Sequence, residues 1–570
     1  MNSSDRPSII KPWMAYYPEF MRKIQIPRCK ISEYIAKHRR DVEKTAVSYY
    51  GSSFSFCELM DLTKAVKQSL LRYGVRPDDQ IVVFMESSPV FLALLFACED
   101  IGASIVCRDG TVPENMLAVH NAKAHLVFVS DTTGRELRSF LSVLSGVTVV
   151  CVSACDYVSG MPDYARRGYY SLFEPDVTGE ISFSDFLYNG KDTKDVRFFF
   201  DDNRPLLRCY TTGTTGMSKQ VIHSSHTILG VVAQMSFFTA NTDEVMTWLQ
   251  PVLPPSLVAC VVSMQLMPLA NDNILILDPF CLPLDVDLSI EYYHPNGIAL
   301  IPMFVDVLLH SMRMSDDLSF IRTIGAGAEA MNNKQLAAIQ EFLVQHGSNA
   351  HFSVGYGLSE AGSNLTFPHP TAGVENCCYG MPMPLVRLGI FDEQNQELGY
   401  GQVGSICVQT PGMMLSYGGL TYSMNDENTS STLVEHDDGE VWLHTGDSGM
   451  LTEDGAVYVY GRGILPGRDG ENLQPLQLEN FCCDVSCVND IFFVVVQDVD
   501  SDVYSSYCYV IPSAGFDLVK FEAELHAVLT DSAYPRKIFV IQNRPYFHFK
   551  TARKALASDI MQLNLHECEM

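Results

Sequence analysis

The stretch Cys209–Lys219, which reads CYTTGTTGMSK, carries the densest chemical signal in the 570-residue chain. It places four threonines, two glycines, a serine and a lysine within eleven residues. Small residues let a backbone wrap around a polyphosphate, hydroxyl and amide groups donate to its oxygens, and a lysine adds positive charge. The spacing differs from the Walker A pattern G-x-x-x-x-G-K-[ST]. The stretch therefore predicts a phosphate-binding loop, with a polar turn as the alternative.

Upstream of this loop, helix and strand signals alternate along the chain. Ser55–Glu58 forms a capping box that opens a helix, and a strand-like run follows at Ile81–Met85. Pro89 begins an apolar helix that ends before Gly102, and Leu126–Val129 is a further strand. This alternation, with apolar strands, predicts a parallel sheet covered by helices, an α/β fold.

The sequence changes character downstream of about residue 380. Short β-like stretches separated by Gly, Asp and Asn extend to residue 462 and predict a mainly antiparallel β unit. A glycine-rich stretch follows, GILPGRDGEN at residues 463–472, and is typical of a linker. We expect a large N-terminal domain at residues 1–461, a hinge near residues 462–470, and a small, mobile α+β C-terminal domain at residues 463–570.

The charge balance excludes several classes of partner. Lys and Arg number 39 against 67 Asp and Glu, which gives a net charge of −28. Nucleic acids and anionic lipids are bound through basic patches, so neither is expected as a partner. No apolar run approaches the roughly 18 to 20 residues that span a bilayer, and the N-terminus lacks the pattern of a signal peptide. We expect a soluble, cytoplasmic protein without a membrane span.

The 17 cysteines are scattered through apolar segments. Three close groups exist, Cys151/Cys155, Cys377/Cys378 and Cys482/Cys483/Cys487, and none has the paired Cys-x-x-Cys spacing or the nearby histidine of a zinc site. The pattern predicts reduced, buried thiols and does not predict metal binding by these groups.

The loop resembles the signature of the adenylate-forming superfamily, which includes acyl-CoA synthetases, non-ribosomal peptide adenylation domains and firefly luciferase. The usual form is YTSGTTGxPKGV, and here Ser218 replaces the Pro and Gln220 the following Gly. Further stretches resemble the family's motifs in the family's order: Gly355–Glu360, Gly404–Tyr417, His444–Asp447 with Asp454–Gly455 and Tyr460–Arg462, Pro475–Glu479, and Lys550–Leu556. The resemblance is closest to acyl-CoA synthetases and runs from about Phe54 to Leu556.

The resemblance implies an ATP site. The residues that would cradle the β- and γ-phosphates are Thr211, Thr212, Gly213, Thr214, Thr215, Gly216 and Lys219. Tyr356 would stack on adenine, as an aromatic ring can, with Gly357 beside it. The loop Gly327-Ala328-Glu329 would lie on the adenine side, and Asp447 and Arg462 would bind the ribose.

The resemblance also implies three catalytic residues. Ser359 would hydrogen-bond near the α-phosphate, and Glu360 would hold Mg²⁺, which prefers oxygen ligands. Lys550, in the small domain, would stabilise the charge that builds between a carboxylate and the α-phosphate.

The chain departs from the family pattern at three places. Ile464 occupies the hinge position, and Gly467–Gly470 replaces Lys-x-x-Gly, with Arg468 as a candidate substitute cation. Phe549 stands where a Gly usually precedes the catalytic lysine, although Gly is the residue best suited to positive φ. Leu249–Ser256 has neither the family's His nor the Asp that binds an α-amino group, which disfavours an α-amino acid substrate.

Together these features predict an ATP-dependent, Mg²⁺-requiring ligase that converts an apolar carboxylic acid to an acyl adenylate and transfers it to coenzyme A. One alternative is transfer to the phosphopantetheine of a separate acyl or peptidyl carrier protein. The other alternative is a non-catalytic relative that binds a nucleotide or an acyl group.

Overall fold

The computed structural model describes residues 6–109, 111–211, 218–235, 244–373, 377–418, 427–499, 501–547 and 549–568. Thr212, Gly213, Thr214, Thr215 and Gly216, the middle of the expected phosphate loop, lie outside the described residues.

An eight-stranded sheet forms the first layer of the fold. Six of its strands are parallel, and two antiparallel strands close one edge. In spatial order the strands are Ser416–Gly418, Gln220–Ser224, Pro205–Tyr210, Ser104–Cys107, Gln80–Phe84, Leu126–Ser130, Thr148–Val152 and Ile181–Ser182. Its accompanying helices are Phe56–Arg72, Pro89–Ile101, Val112–Ala122, Arg135–Leu141, Asp163–Leu172, Phe183–Gly190 and Ser225–Val232.

A seven-stranded sheet forms the second layer, parallel except for a hairpin at one edge. Its strands in spatial order are Phe352–Val354, Thr323–Ala326, Gly297–Leu300, Thr247–Pro251, Ile274–Asp278, Thr45–Tyr49 and Ser52–Ser55. The helices of this part are Ile31–His38, Cys260–Leu266 continuing into Met267–Ala270, Val286–Tyr293, Pro302–Leu309 and Asn333–Gln345. Short helical turns lie at Pro7–Ile10, Pro12–Tyr16, Glu19–Arg22, Pro283–Asp285 and Ser359–Ala361.

The helix Pro89–Ile101 shows why the local signals fold as they do. Ser88 caps it by accepting from the Phe91 N–H at 3.1 Å, and Pro89 occupies the first turn, where no amide donor is needed. Gly102 ends it with φ of 85°, a left-handed conformation that favours glycine. Since nearly every residue of this helix is buried, it belongs to the main core.

The antiparallel β unit predicted downstream of residue 380 is confirmed. Its strands are Arg387–Phe391, Gly404–Gln409, Leu433–Glu435, Val441–Leu451 and Val457–Arg462, with the short helix Glu427–Ser430 beside them. Two small strand pairs precede it, Gly357–Leu358 with Ser363–Asn364 and Thr366–Phe367 with Met381–Pro382.

The chain after Arg462 builds its own sheet and its own apolar cluster, which includes Leu473, Phe493, Val510 and Phe521. Its elements are the helices Pro475–Phe481, Leu518–Val528 and Arg553–Cys568, the sheet strands Val488–Gln497, Tyr504–Pro512 and Ile538–Val540, and the hairpin of Tyr546–Phe547 with Lys550–Thr551. The expected α/β class, with a large N-terminal part and a smaller α+β C-terminal part, is confirmed. No helix among the described residues is both long and apolar enough to cross a membrane.

Gly168→Ala should destabilise the N-terminal part. Gly168 lies in the helix Asp163–Leu172, and a Cβ there would sit 1.9 Å from the carbonyl oxygen of Phe280. Because the backbone at Phe280 cannot move aside without strain, we expect the free energy of unfolding to fall by about 1–3 kcal/mol. Gly134→Ala is the matched control, since a Cβ there meets no atom within 4 Å. Thermal unfolding midpoints measure both; equal midpoints would contradict the packing.

Candidate functional site

Tyr356, Asp447 and Arg462, predicted from two separate motifs, are joined by a hydrogen bond and an ion pair. The Tyr356 hydroxyl donates to Asp447 Oδ2 at 2.7 Å, and Arg462 Nε lies 3.1 Å from Asp447 Oδ1. The cause is strand register, since Asp447 and Arg462 are cross-strand partners. Burial raises the pKa of Asp447, and Arg462 and the Tyr356 hydroxyl offset part of that rise. The result is a partly buried carboxylate with lone pairs left to accept further hydrogen bonds.

Glu360 and Lys219 are brought together by a residue from a third segment. The Tyr417 hydroxyl donates to Glu360 Oε1 at 2.7 Å, and the Lys219 ammonium lies 4.8 Å from the centre of the Tyr417 ring. Glu360 Oε2 has no hydrogen-bond partner among the described residues. One carboxylate oxygen near a phosphate-loop lysine fits a hard cation such as Mg²⁺.

His223 supports the turn Ser359–Ala361 and was missed by sequence reasoning. Its Nε2 donates to the carbonyl oxygen of Ser359 at 2.8 Å, and its Nδ1 lies 3.1 Å from Thr227 Oγ1. Burial lowers the pKa of His223 to about 4, so the ring is neutral at pH 7. A polar residue within the otherwise apolar middle of the buried strand Gln220–Ser224 was the available signal.

The ends of the phosphate loop are held side by side. The Thr211 N–H donates to the Lys219 carbonyl at 2.8 Å, and the Lys219 N–H donates to Thr211 Oγ1 at 3.1 Å. Ser218, which replaces the family's proline, donates to the Thr211 carbonyl and accepts from Arg108 at 3.2 Å. The Arg108 guanidinium also covers the Tyr210 ring at 4.0 Å. Ser218 therefore anchors a buried arginine that a proline could not bind.

Glycines shape the side of the site expected to receive adenine. A Cβ at Gly327 would lie 3.7 Å from the Gly355 carbonyl oxygen, an ordinary van der Waals contact between the ends of two neighbouring strands. Ala328 follows with φ of 71°. Gly357 has a different constraint, because a Cβ there would meet the Ser363 carbonyl oxygen at 1.9 Å. The close pairing of Gly357–Leu358 with Ser363–Asn364 requires this glycine.

Glu329 binds the C-terminal part of the chain. Its carboxylate accepts from the Thr551 N–H at 3.1 and 3.2 Å and from the Arg553 guanidinium at 2.9 Å. Arg553 is shared with Glu479, to which it donates at 2.6 Å. Sequence reasoning placed Glu329 with the adenine loop; the structure makes its carboxylate the anchor for the strand Lys550–Thr551.

Lys550 lies within electrostatic reach of the other predicted residues. Burial lowers the pKa of Lys550, Glu329 is the strongest influence that raises it, and Arg462 opposes that rise. Asp447 and Glu360 raise the Lys550 pKa to a smaller extent. The structure thus brings the C-terminal lysine to the residues of the large N-terminal part.

Phe549 occupies the glycine position in the left-handed region, with φ of 65°. Its ring lies 6.1 Å from the Phe304 ring, in an edge-on arrangement. An apolar contact across the two parts therefore accompanies the backbone strain. In the segment expected to be the hinge, Ile464 and Arg468 are both exposed.

The family described as AMP-binding enzyme matches residues 35–418. A fatty acid–[acyl-carrier-protein] ligase, ScoC of Streptomyces coeruleorubidus, is 25% identical over 460 residues, covering 76% of this chain and 77% of the relative. 4-Coumarate–CoA ligase 2 of Petroselinum crispum is 24% identical over 462 residues, covering 79% of this chain and 78% of the relative.

Two solved structures share the fold. The anthranilate CoA ligase AuaEII in complex with anthranoyl-AMP superposes with a TM-score of 0.78 at 17% identity, covering 95% of this chain and 98% of that one. ATP-bound MatB from Rhodopseudomonas palustris superposes with a TM-score of 0.78 at 18% identity, covering 94% and 99%.

His223 should make stability depend on pH. Because its pKa falls from 6.5 to about 4 on folding, the unfolded chain binds the proton first as the pH drops. Above pH 6.5 the neutral His223 does not lower stability. As the pH falls from 6.5 to 4, the free energy of unfolding decreases by about 3 kcal/mol because only the unfolded chain binds the proton. His223→Gln should flatten that part of the curve of unfolding free energy against pH, whereas the exposed control His120→Gln should not. Identical curves for His223→Gln and the parent would refute the assignment.

Proposed function

Because the chain belongs to the AMP-binding enzyme family, the adenylate-forming ligases, we propose that it joins an apolar carboxylic acid to the thiol of coenzyme A at the expense of ATP. The observation that carries this proposal is the hydrogen bond from the Thr551 N–H to Glu329, which holds the neighbouring Lys550 within electrostatic reach of Glu329, Asp447 and Glu360. Folding of the C-terminal part does not by itself require Lys550 to lie near these acidic groups.

The nucleotide would bind across the two large sheets and the β unit. Tyr356, Gly357 and the Gly327-Ala328 turn would contact adenine, and Asp447 and Arg462 would contact the ribose. Asp447 already accepts from Tyr356 and pairs with Arg462, which holds its carboxylate in place for the ribose hydroxyls.

Thr211 to Gly216 and Lys219 would receive the β- and γ-phosphates. Glu360 is the proposed Mg²⁺ ligand through Oε2, since Tyr417 donates to Oε1. Bound Mg²⁺ would supply positive charge to offset the phosphates, and Lys219 adds to that charge. Ser359, held by His223 through its carbonyl, would reach the α-phosphate.

In the first half-reaction a carboxylate oxygen of the acid attacks the α-phosphorus, and the bond to pyrophosphate breaks. The Lys550 ammonium would stabilise the negative charge shared between the two reacting groups. Glu329 positions Lys550 indirectly, since it holds the N–H of the next residue, Thr551. In the second half-reaction a thiolate attacks the acyl carbonyl and AMP leaves.

We propose further that residues 463–570 form the small, mobile domain, with the hinge near residues 462–470. In the structure Lys550 lies within electrostatic reach of Asp447 and Glu360, which is the arrangement that adenylation would require. Thiol attack would require this segment to withdraw, which breaks the Glu329–Arg553 ion pair and the Phe304–Phe549 contact. Such closure and opening is the gating expected of a catalytic lid.

A carrier protein is the second candidate acceptor. Gly467–Gly470 replaces the Lys-x-x-Gly of acyl-CoA synthetases, and only Arg468 offers a cation there. The relative ScoC is named as a ligase that acts on an acyl carrier protein. After adenylation with a panel of acids, product formation with coenzyme A and not with a purified phosphopantetheinylated carrier would favour the first proposal; the reverse result would favour the second.

Asp447→Ala and Glu360→Ala should both impair adenylation. Loss of Asp447 removes the ribose acceptor and should raise the KM for ATP, whereas loss of Glu360 should raise the Mg²⁺ concentration needed. Pyrophosphate exchange measures both, with Glu341→Ala, an exposed acid on the helix Asn333–Gln345, as control. If both variants exchanged pyrophosphate at the parental rate, the assignment of the nucleotide site to Asp447 and Glu360 would be wrong.

Lys550→Ala should separate the two half-reactions. Adenylation should slow by about 10²–10³ in kcat, with a smaller change in the KM for ATP, because the lost charge acts mainly in the transition state. Thiol transfer from preformed acyl adenylate should change far less. Lys554→Ala, an exposed lysine in the same segment, is the control. Equal losses in both half-reactions, or none in adenylation, would show that Lys550 has no such role.

A further inference from the structure

A cluster of three metal-ligating side chains lies in the antiparallel β unit, away from the proposed catalytic groups. Cys407, His436 and His444 each offer a ligand atom, and these atoms all lie within 4.8 Å of one another. The Nε2 atoms of the two histidines are 2.7 Å apart. Cys407 and His436 are buried, and His444 is partly exposed.

Three different segments build this cluster. Cys407 lies in the strand Gly404–Gln409, and the register of the sheet sets it directly opposite His444 in the strand Val441–Leu451. His436 lies in the turn that leads into that second strand, where its N–H donates to the Glu440 carbonyl at 3.0 Å. Because the ligands come from three segments, the cysteine spacing along the chain gave no sign of the cluster.

We propose that Cys407, His436 and His444 bind a divalent transition-metal ion of the Zn²⁺ type, through one thiolate and two imidazole nitrogens, with a water molecule as fourth ligand. Cysteine thiolate and histidine imidazole are both zinc ligands, and three protein ligands with a water in the fourth position is the arrangement of an open zinc site. The partly exposed His444 marks the side from which water completes the tetrahedron.

The geometry needs only small adjustments to hold the ion. Zinc–ligand bonds of about 2.0–2.3 Å place tetrahedral ligand atoms about 3.3–3.6 Å apart. The two imidazole nitrogens must separate by about 0.6 Å from their 2.7 Å spacing, and the thiol must approach by about 1.2 Å at most from the 4.8 Å limit.

Ligation requires both imidazoles to be neutral and the Cys407 thiol to be deprotonated. Metal binding must therefore displace the thiol proton, and one proton is released to solvent for each ion bound.

Aromatic rings shield one side of the cluster. The His436 ring lies 4.8 Å from the Phe391 ring and stacks at 5.7 Å on the Trp442 ring. An apolar wall of this kind restricts water on that side and strengthens ligand–ion attraction. The ion would tie the strand that also carries Asp447 to the strand Gly404–Gln409, so its role is stabilisation of the β unit, separate from the ligase reaction.

Co²⁺ is the probe, because a thiolate ligand in a tetrahedral site gives a sulfur-to-cobalt charge-transfer band together with visible bands. The full-length protein, stripped with a chelator, is titrated with Co²⁺ alone. We expect one equivalent to produce these bands and excess Zn²⁺ to abolish them. Absence of the charge-transfer band in the parent would overturn the proposal. The contact between His436 and His444 would then be only a hydrogen bond.

Variants locate the ion. Cys407→Ser should abolish the charge-transfer band, His436→Gln should abolish the bound equivalent or shift its bands, and the exposed-cysteine control Cys155→Ser should behave like the parent. Unchanged spectra in both ligand variants would place the ion elsewhere and overturn the assignment. If Cys407→Ser fails to fold, the spectrum of His436→Gln alone tests the proposal, because His436 lies in a turn and not in a strand of the sheet.

The thermal unfolding midpoint gives a second test. Zn²⁺ should raise the Tm of the parent and of Cys155→Ser, and should not raise that of His436→Gln. An equal rise in His436→Gln would also overturn the proposal.

Discussion

The carboxylate of Glu329 is the contact on which the composite site depends. It accepts the backbone N–H of Thr551 and pairs with Arg553, so the strand that carries Lys550 is fixed against the larger part of the chain. A carboxylate that receives several donors at once is held more firmly than an exposed ion pair, because charge-assisted hydrogen bonds gain strength where water is excluded. Together with the Phe304–Phe549 contact, it restrains Lys550 relative to Asp447 and Glu360.

Two departures from the family pattern acquire physical reasons in the fold. Ser218 supplies a hydroxyl to Arg108, and Arg108 in turn covers Tyr210, so the base of the phosphate loop gains a buried cation. Phe549 adopts a left-handed backbone conformation, which glycine adopts without strain. Its ring contacts the Phe304 ring, which joins the C-terminal part to the N-terminal part. In both places the substituted side chain adds a contact that the usual residue cannot make.

The strand Val441–Leu451 links two features of different chemistry. One end places His444 opposite Cys407, and three residues later Asp447 meets Arg462. A register shift lies between the pairs Ser405–Ser448 and Cys407–His444, so the strand is irregular between the two features. The nucleotide-binding proposal and the metal proposal therefore rest on one strand, although each has its own ligands and its own test.

The sequence alone determined the α/β class, the antiparallel β unit and the family, because apolar periodicity and short motifs are local properties. It also named most residues that meet in the site, since Tyr356, Glu360, Asp447 and Lys550 each lie in a recognisable motif. Only the tertiary structure decided that Glu329 holds the C-terminal strand, that His223 supports Ser359, and that Cys407 faces His444. These contacts join residues far apart in the chain, and strand register and packing, which local sequence does not encode, bring them within hydrogen-bonding or ligand distance.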